Sequence, residues 1–212
     1  MDISDYRREY MSLGLDRKAL ADDPLQQFEI WFTQASKAGI QDPNAFSLAT
    51  SDKSGFPSVR TVLLKLFDEK GFVFFTNYGS KKSKQIQENP QAAMLFPWLS
   101  LNRQVKIEGR CEKVSTAASL KYFATRPRGS QLGAWCSDQS EIIESRSFLE
   151  QKYKEVAEKF KIGAIPLPEA WGGYRIIPTN IEFWQGRENR LHDRFQYSKK
   201  DQGSWNIERL AP

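Results

Sequence analysis

The single histidine of the chain lies between two arginines, directly after an aromatic strand-like stretch. Arg190, His192 and Arg194 follow each other at every second position, so an extended backbone would place the three side chains on one face. Cationic and hydrogen-bonding groups on one face suit a planar, anionic ligand. A solvated surface hairpin is the competing interpretation. The preceding residues Trp184, Gln185 and Gly186 favour the ligand site.

Two further cations, Arg60 and Lys65, lie within an apolar strand-like stretch. Burial of such cations is costly unless they meet anions, so they either bind an anionic ligand or extend to the surface. A spacing of five puts them on opposite faces of a regular strand. One shared ligand would therefore require a bulge or a ligand that wraps around the strand.

A third basic cluster follows the turn at Gly79. A short helix predicted from about Ser80 would present free backbone N–H groups, and Lys81 and Lys82 would add positive charge. Together these groups predict a phosphate site. The GxxxxGK[ST] spacing of a Walker loop is absent. An ordinary basic helix start is the alternative.

A fourth cluster combines two hydroxyl groups with a guanidinium. Tyr122 and Arg126 are four residues apart, on one face of a predicted helix, and Ser130 follows in the turn after Pro127. This donor set fits a second phosphate group. A basic helix end with no ligand is again the alternative.

Amide side chains complete the set of polar groups. Gln104 and Gln139, with the neighbouring Ser140, can hydrogen-bond the edge of a heterocycle. We predict no metal site, because the sequence has one histidine and no cluster with metal-ligand spacing. We find no nucleophilic triad, GxSxG elbow or GxGxxG loop. We therefore expect the chemistry to come from a bound cofactor.

The composition restricts the class of protein. A chain of 212 residues buries a core without disulfides, and its two cysteines form no CxxC pair, which predicts a reducing compartment. The N-terminus lacks an apolar signal core and no apolar run reaches the ~18 residues of a membrane span, so we predict a soluble, cytoplasmic protein without membrane contact. The net charge of +5 fits an anionic partner, and its scatter along the chain favours a small phosphorylated ligand over nucleic acid.

The hydrophobic pattern predicts a mainly β fold with peripheral helices. We expect one helix from Asp23-Pro24 to about Gly39, a second capped by Ser115 and ending near residue 125, and a third over 146–160. The predicted strands are residues 45–51, 58–68, 71–77, 92–98, 103–114, 173–177, 181–185, 194–197 and 205–210. Turn signals at 52–55 and 68–71 indicate hairpins. The short connections exclude βαβ crossovers between these strands and predict an antiparallel barrel or sandwich. We interpret the whole pattern as a β-barrel core with helices packed around it.

Nearly the whole chain resembles the pyridoxine (pyridoxamine) 5′-phosphate oxidase family. The matching stretches occur in the family's order and are RREY (7–10), DP (23–24), RTVLLK (60–65), NRQV (102–105), YF (122–123), RPR (126–128), SQLGA (130–134), QS (139–140), WGGY (171–174), EFWQG (182–186), RLHDR (190–194) and ERLAP (208–212). The RLHDR and EFWQG stretches together are highly specific. Two departures are Lys81, where the family commonly has arginine, and Gly129, where a polar residue is more usual.

The resemblance implies an antiparallel FMN-binding split β-barrel that forms a homodimer with the flavin at the subunit interface. A ligand at the interface can be reached from two chains. Arg60 and Lys65 could then both contribute to ligand binding even if they lie on opposite faces of one strand. The implied flavin contacts are Arg60, Thr61, Val62, Leu63, Leu64, Lys65, Phe75, Thr76, Lys81, Lys82, Gln104, Gln139, Ser140, Trp184 and Arg194. The implied contacts of the substrate phosphate are Lys65, Tyr122, Arg126 and Ser130.

The implied reaction is the oxidation of pyridoxine or pyridoxamine 5′-phosphate by O₂ to pyridoxal 5′-phosphate, with release of H₂O₂. Arg190 and His192 would be the catalytic pair against the pyridine ring, and Arg7 and Tyr10 would close over it. We expect Arg190 to matter most for rate. We expect His192 to be neutral, with a ring nitrogen able to accept a proton. Residues 21–212 would form one split-barrel domain and residues 1–20 an N-terminal segment that closes over the site.

Three other functions compete with this interpretation. A flavin-dependent oxidase of another small aromatic, such as a phenazine precursor, would share the barrel and the flavin site. A carrier of flavin or pyridoxal phosphate would bind the same ligands without consuming oxygen. A β-barrel nucleic-acid binder would use exposed aromatic side chains beside basic residues.

Overall fold

The computed structural model describes residues 14–200 and 203–212. Its helices are α1 (Pro24–Lys37), α2 (Lys81–Glu88), α3 (Thr116–Thr125), α4 (Arg128–Cys136) and α5 (Arg146–Lys159). Its strands are β1 (Ala45–Ser51), β2 (Pro57–Leu63), β3 (Leu66–Asp68), β4 (Gly71–Asn77), β5 (Gln91–Trp98), β6 (Arg103–Lys113), β7 (Trp171–Gln185), β8 (Asp193–Lys199) and β9 (Trp205–Leu210). Within these ranges, each helix is too short or too polar to traverse a lipid bilayer.

The strands of the described residues form one antiparallel sheet. Its order is β2-β1-β5-β6-β7-β4-β3, and β8 and β9 extend it from β7. Strand β7 is the junction, because its first half pairs with β4 and its second half pairs with β8. The two predicted hairpins are confirmed by the antiparallel pairs β1–β2 and β3–β4. The mainly β class with peripheral helices is therefore correct.

Helix α1 packs against the sheet and contributes to the main core. Asp23 caps this helix by accepting a hydrogen bond from the Leu25 N–H (2.8 Å), and Pro24 occupies its first turn. The Phe28 side chain is fully buried, and its ring centroid lies 5.0 Å from those of Phe67 and Phe72. Such edge-to-face pairs each contribute about 0.5–1.5 kcal/mol beyond the burial of their area.

A second, smaller core attaches helices α3, α4 and α5 to the start of β7. Its buried members are Phe123, Leu132, Ile165 and Trp171. Ser115 caps α3 by accepting a hydrogen bond from the Ala118 N–H, as predicted. This core holds the three helices together, and α3 and α4 form one wall of the cavity described below.

The predicted strand over 58–68 is wrong, because the chain breaks into β2 and β3 at Leu64 and Lys65. The Leu64 N–H donates to Asn44 O (2.8 Å), whereas the Lys65 N–H donates to Val73 O (2.9 Å). The backbone thus leaves β1 for β4 between these two residues. Arg60 and Lys65 do not share a strand, so their spacing of five residues does not place them on opposite faces of one strand.

Two further elements differ from prediction. Residues 128–136 form helix α4, so Ser130 lies in a helix rather than in a turn. The expected strands 173–177 and 181–185 are one strand, β7, which continues through Pro178. The ladder with β6 shifts register between Glu108 and Gly109, where Gly109 pairs with Pro178. A proline is tolerated at such a bulge because the ladder is already interrupted there.

Candidate functional site

A cavity of about 620 Å³ opens between β2, β4, α3, α4 and the start of β7. This volume lies in the range of small-molecule sites, about 300–1,000 Å³. The cavity brings together most of the predicted flavin contacts and all four predicted contacts of the substrate phosphate, namely Thr61, Val62, Leu63, Lys65, Phe75, Thr76, Lys82, Tyr122, Arg126, Ser130 and Gln139. Leu64, also a predicted flavin contact, does not line the cavity, because it is 5% exposed and belongs to the main core.

Lys82 is a buried cation at one end of this cavity. Its Nζ donates to Thr76 Oγ1 (3.1 Å) and Gln139 Oε1 (2.9 Å). Burial, with repulsion from Arg60 as a second cause, lowers the pKa of Lys82 to about 8. In the described part of the chain no carboxylate forms a salt bridge with Lys82 or with Arg60. Two neighbouring cations without an acid partner fit a phosphate group.

Arg60 lies in an adjoining cavity of about 480 Å³, which it shares with Lys81, Ser140 and the Lys82–Gln139 pair. Its guanidinium donates to Thr50 Oγ1 (2.6 Å) and to Gln85 Oε1 (3.4 Å).

Thr50 and Gln85 are buried and hydrogen-bonded to each other at 2.7 Å, and they fix the direction of the Arg60 side chain. The sequence interpretation missed both residues. The only local signal was that Gln85 lies three residues after Lys82, on the same side of α2.

Arg126 is a second, partly buried cation that lines the main cavity. Its guanidinium carbon lies 4.7 Å from the ring centroid of Trp171, and its Nη1 is buried without a hydrogen-bond partner among the described residues. Burial lowers the pKa of Arg126. An orphaned buried donor costs about 1–3 kcal/mol, more for a charged group, so this atom calls for an acceptor such as a phosphate oxygen. Tyr122 and Ser130 line the same cavity.

The remaining predicted residues form a separate group, the clamp cluster, defined here as Gln104, Trp184, Arg190, His192 and Arg194. Gln104 pairs with Trp184 across β6 and β7, and Trp184 pairs with Arg194 across β7 and β8. The His192 ring lies 4.6 Å from the Trp184 ring. Glu182 accepts two hydrogen bonds from the Arg194 guanidinium, at 2.8 and 3.1 Å. None of the five residues lines the 620 Å³ cavity.

The single extended face predicted for Arg190, His192 and Arg194 is wrong. Residues 188–190 form a 3₁₀ turn, and Arg190 has a φ of +59°. Strand β8 begins only at Asp193, whose carboxylate pairs with Arg209 at 2.5 Å. A left-handed backbone at a non-glycine residue costs of order 1–3 kcal/mol, and such strain is concentrated at functional sites.

His192 has one ring nitrogen already occupied. Its Nδ1 accepts a hydrogen bond from the Arg187 N–H at 3.1 Å. Burial, with Arg190 as a second cause, lowers the pKa of His192 below its ordinary value, in the expected direction. The neutral ring therefore carries its proton on Nε2. The expected ring nitrogen that accepts a proton or hydrogen bond would be Nδ1, which already accepts the hydrogen bond from the Arg187 N–H.

The main cavity and the clamp cluster lie toward opposite ends of β7. Trp171, which lines the cavity, is the first residue of this 15-residue strand, and Trp184 is its penultimate residue. At about 3.3 Å per residue, roughly 40 Å of strand separates them. Within one chain, the cavity and the clamp cluster therefore lie near different ends of this strand. Arg7 and Tyr10 lie outside the described residues.

The curled antiparallel sheet, with an aromatic-lined cavity that Lys82 and Arg126 also line, first defines a class, that of the split-barrel proteins. The chain belongs to the pyridoxine/pyridoxamine 5′-phosphate oxidase family. Residues 32–160 match the pyridoxamine 5′-phosphate oxidase family, and residues 171–212 match the pyridoxine 5′-phosphate oxidase C-terminal dimerisation region.

Full-length relatives support the same assignment. The pyridoxine/pyridoxamine 5′-phosphate oxidase of Aliarcobacter butzleri is 61% identical over 212 residues, covering 100% of both chains. The enzyme of that name from Crocosphaera subtropica is 61% identical over 214 residues, again covering 100% of both. The family resemblance inferred from the motifs is therefore confirmed.

Solved structures confirm the split-barrel fold. PhzG from Burkholderia lata, in complex with tetrahydrophenazine-1-carboxylic acid, superposes with a TM-score of 0.90 at 25% identity, covering 97% of this chain and 100% of that one. A pyridoxamine 5′-phosphate oxidase-related, FMN-binding protein from Nostoc punctiforme superposes with a TM-score of 0.73 at 17% identity, covering 91% of this chain and 100% of that one.

Proposed function

We propose that this chain is an FMN-dependent oxidase that converts pyridoxine and pyridoxamine 5′-phosphate to pyridoxal 5′-phosphate, with reduction of O₂ to H₂O₂. The observation that carries the proposal is the presence of two separate unpaired-cation sites in and beside one cavity. Two phosphorylated molecules, a flavin mononucleotide and a phosphorylated substrate, would satisfy them. The names and full-length identity of the relatives support the same activity.

The residues present fit FMN. Arg60, Lys81 and Lys82 would neutralise its phosphate. Arg60 and Lys82 have no carboxylate partner within the described ranges. Thr76 and Gln139 would supply hydrogen bonds from the cavity wall. Bound FMN would supply the redox chemistry, as acceptor of a hydride from the 4′ carbon and donor of electrons to O₂.

The protein's own contribution would be binding and orientation. Arg126, Tyr122, Ser130 and Lys65 would hold the substrate phosphate, which fixes the pyridine ring by its far end. The planar cation of Arg190 would lie against the ring and stabilise negative charge that develops on it.

His192 would donate its Nε2–H to the substrate. The occupied Nδ1 favours this positioning role over that of an obligatory base.

We further propose a homodimer in which the clamp cluster of one protomer completes the cavity of its partner. The separation of the two groups along β7 supports this arrangement. The match of residues 171–212 to a dimerisation region supports it as well, since β7, β8 and the clamp residues from Trp184 onward lie in that region. The closing role of residues 1–20 over the single domain 21–212, with Arg7 and Tyr10, stays a prediction, as does the cytoplasmic location.

Oxygen uptake tests the proposed function. The purified protein should be yellow and should consume O₂ on addition of pyridoxamine 5′-phosphate, with formation of pyridoxal 5′-phosphate and H₂O₂. Unphosphorylated pyridoxine should be a much poorer substrate. Binding of FMN and pyridoxal phosphate without O₂ uptake would show a carrier instead. Uptake with tetrahydrophenazine-1-carboxylic acid alone would favour a PhzG-like oxidase.

A further inference from the structure

We propose that Trp171 is a positioning residue, which holds the Arg126 guanidinium in the orientation that binds the substrate phosphate. The inference rests on the proposed function and assigns a role to the WGGY stretch. The Trp171 side chain is 7% exposed and lines the main cavity. It lies at the first position of β7, where the strand is paired with the end of β4.

Trp171 belongs to a set of nearly parallel rings. The Phe75 and Trp171 planes differ by 8°, with centroids 5.4 Å apart. The Phe75 and Tyr122 planes differ by 19°, with centroids 4.1 Å apart. Rings arranged in this way restrain one another, so the indole presents a fixed face to Arg126.

The two glycines after Trp171 make this arrangement possible. Gly173 pairs with Phe75 across β7 and β4. A Cβ at position 173 would lie 2.9 Å from the Phe75 ring and 2.7 Å from the Val114 side chain. A Cβ at position 172 would overlap the Tyr78 side chain. A larger residue at either position would therefore force the neighbouring aromatic side chain to move.

The indole restrains the position of the Arg126 guanidinium. The guanidinium carbon lies 4.7 Å from the Trp171 centroid and 5.7 Å from that of Phe123. Both rings therefore lie beside the guanidinium, and its buried Nη1 has no hydrogen-bond partner among the described residues. A guanidinium held in a fixed position suits bidentate binding of a phosphate. Loss of the indole would free the side chain to adopt other rotamers.

The test compares two tryptophan substitutions in the FMN-loaded protein. Trp171→Leu removes the indole face, and Trp171→Phe keeps an aromatic face of smaller area. Trp135→Leu is the matched control, because Trp135 also has a cation over its ring, Lys159 at 5.4 Å, but does not line the cavity. Dissociation constants are measured by calorimetry for pyridoxal 5′-phosphate, pyridoxal and inorganic phosphate, and Arg126→Ala defines complete loss of the phosphate contribution.

We expect Trp171→Leu to weaken binding of pyridoxal 5′-phosphate and of inorganic phosphate about tenfold, in line with a partly desolvated cation–π contact. Binding of pyridoxal and the flavin content should stay within twofold. The phosphate affinity of Trp171→Phe should lie between those of Trp171→Leu and the native protein. The phosphate affinity of Trp135→Leu should equal that of the native protein.

Unchanged phosphate affinity in Trp171→Leu, or equal weakening for pyridoxal, overturns the proposal. If the Leu variant does not fold, Trp171→Phe tests the proposal instead. The measure is then whether its affinity for pyridoxal 5′-phosphate falls more than its affinity for pyridoxal. A native protein that binds phosphate through Arg126 but consumes no O₂ refutes the proposed oxidase. In that case the role of Trp171 is still decided by the phosphate measurements.

Discussion

Two cations of the candidate site, Lys82 and Arg60, are held by neutral partners rather than by acids. Lys82 is bonded to a threonine and a glutamine, and Arg60 to a threonine, a glutamine and a backbone carbonyl. Their positive charge is therefore not cancelled within the described part of the chain. Cations kept in this way retain their attraction for an incoming phosphate, whereas salt bridges would compete with it.

The first prediction concerns the charge of Lys82. Its pKa is lowered from 10.5 to about 8, so the buried ammonium opposes folding below about pH 8, and this cost disappears as the pH rises through 8 toward 10.5. Phosphate binding depends on pH in the opposite direction, because it requires the charged ammonium form of Lys82 and should weaken as the pH rises. The dissociation constant of the apoprotein for FMN, measured by fluorescence quenching, should rise several-fold between pH 7 and about pH 9.

Lys82→Met should bind FMN weakly and lose most of this pH dependence. Lys81→Met is the control, because Lys81 is exposed and its loss should leave the dependence in place. An FMN affinity of the native protein that stays constant over this range would contradict the assigned role of Lys82.

The second prediction concerns the tautomer of His192. Because the chain has one histidine, ¹⁵N-histidine labelling gives a single imidazole spin system. We expect the neutral ring at pH 7–8 to carry its proton on Nε2, since Nδ1 accepts the Arg187 N–H. The titration midpoint should lie below the ordinary 6.5, because burial and Arg190 disfavour the imidazolium. A proton found on Nδ1, or a midpoint above 6.5, would refute this assignment.

At the scale of the elements, β7 organises the molecule. It pairs with β4, β6 and β8, and it carries Trp171 near one end and Trp184 near the other. Its continuity through Pro178 depends on the register shift in β6 at Gly109. A Cβ at position 109 would overlap the backbone carbonyl of Ile177. The glycine is therefore required by a close approach of two strands.

The third prediction tests this junction. Gly109→Ala should destabilise the fold by about 1–3 kcal/mol, because a backbone atom rather than a flexible side chain must move. Gly133→Ala is the control, since nothing lies within 4 Å of a Cβ built at that position of α4. It should stabilise the protein by about 0.5–1 kcal/mol. Urea unfolding measures both, and equal stabilities of the two variants would be inconsistent with a tight strand junction.

At the scale of the whole molecule, the proposed homodimer would build each active site from two chains. The main cavity and the clamp cluster lie near different ends of β7, and each protomer would contribute one group to each site. Substitutions in the two groups should therefore complement each other in a mixed dimer. Substitutions within one group should not.

The fourth prediction follows from this arrangement. Arg126→Ala and Arg190→Ala should each be nearly inactive, but a heterodimer of the two has one site with both defects and one intact site. Random reassembly of a 1:1 mixture should restore roughly a quarter of the native activity. A mixture of Arg126→Ala with Lys65→Ala is the control and should recover none, because both residues line the cavity. Heterodimers that form without recovery of activity would show that each site is built from one chain.

The sequence by itself determined the fold class, most strand positions and the types of residue that are proposed to bind the ligands. Alternating apolar residues define which side of a strand is buried, and caps such as Asp23 and Ser115 define where helices begin. These are local properties, so they can be inferred from neighbouring residues. The motif resemblance added the family and the roles expected of Arg190 and His192.

Only the tertiary structure decided which of these residues meet. The break at Leu64 depends on two acceptors, Asn44 and Val73, that lie in different parts of the chain. The 3₁₀ turn at Arg190 precedes a strand start whose Asp193 is fixed by Arg209. Likewise, the pairing of β4 with β7 joins residues about a hundred positions apart, and it creates the ring set at Trp171. Such long-range contacts depend on packing of the whole sheet, which no local pattern encodes.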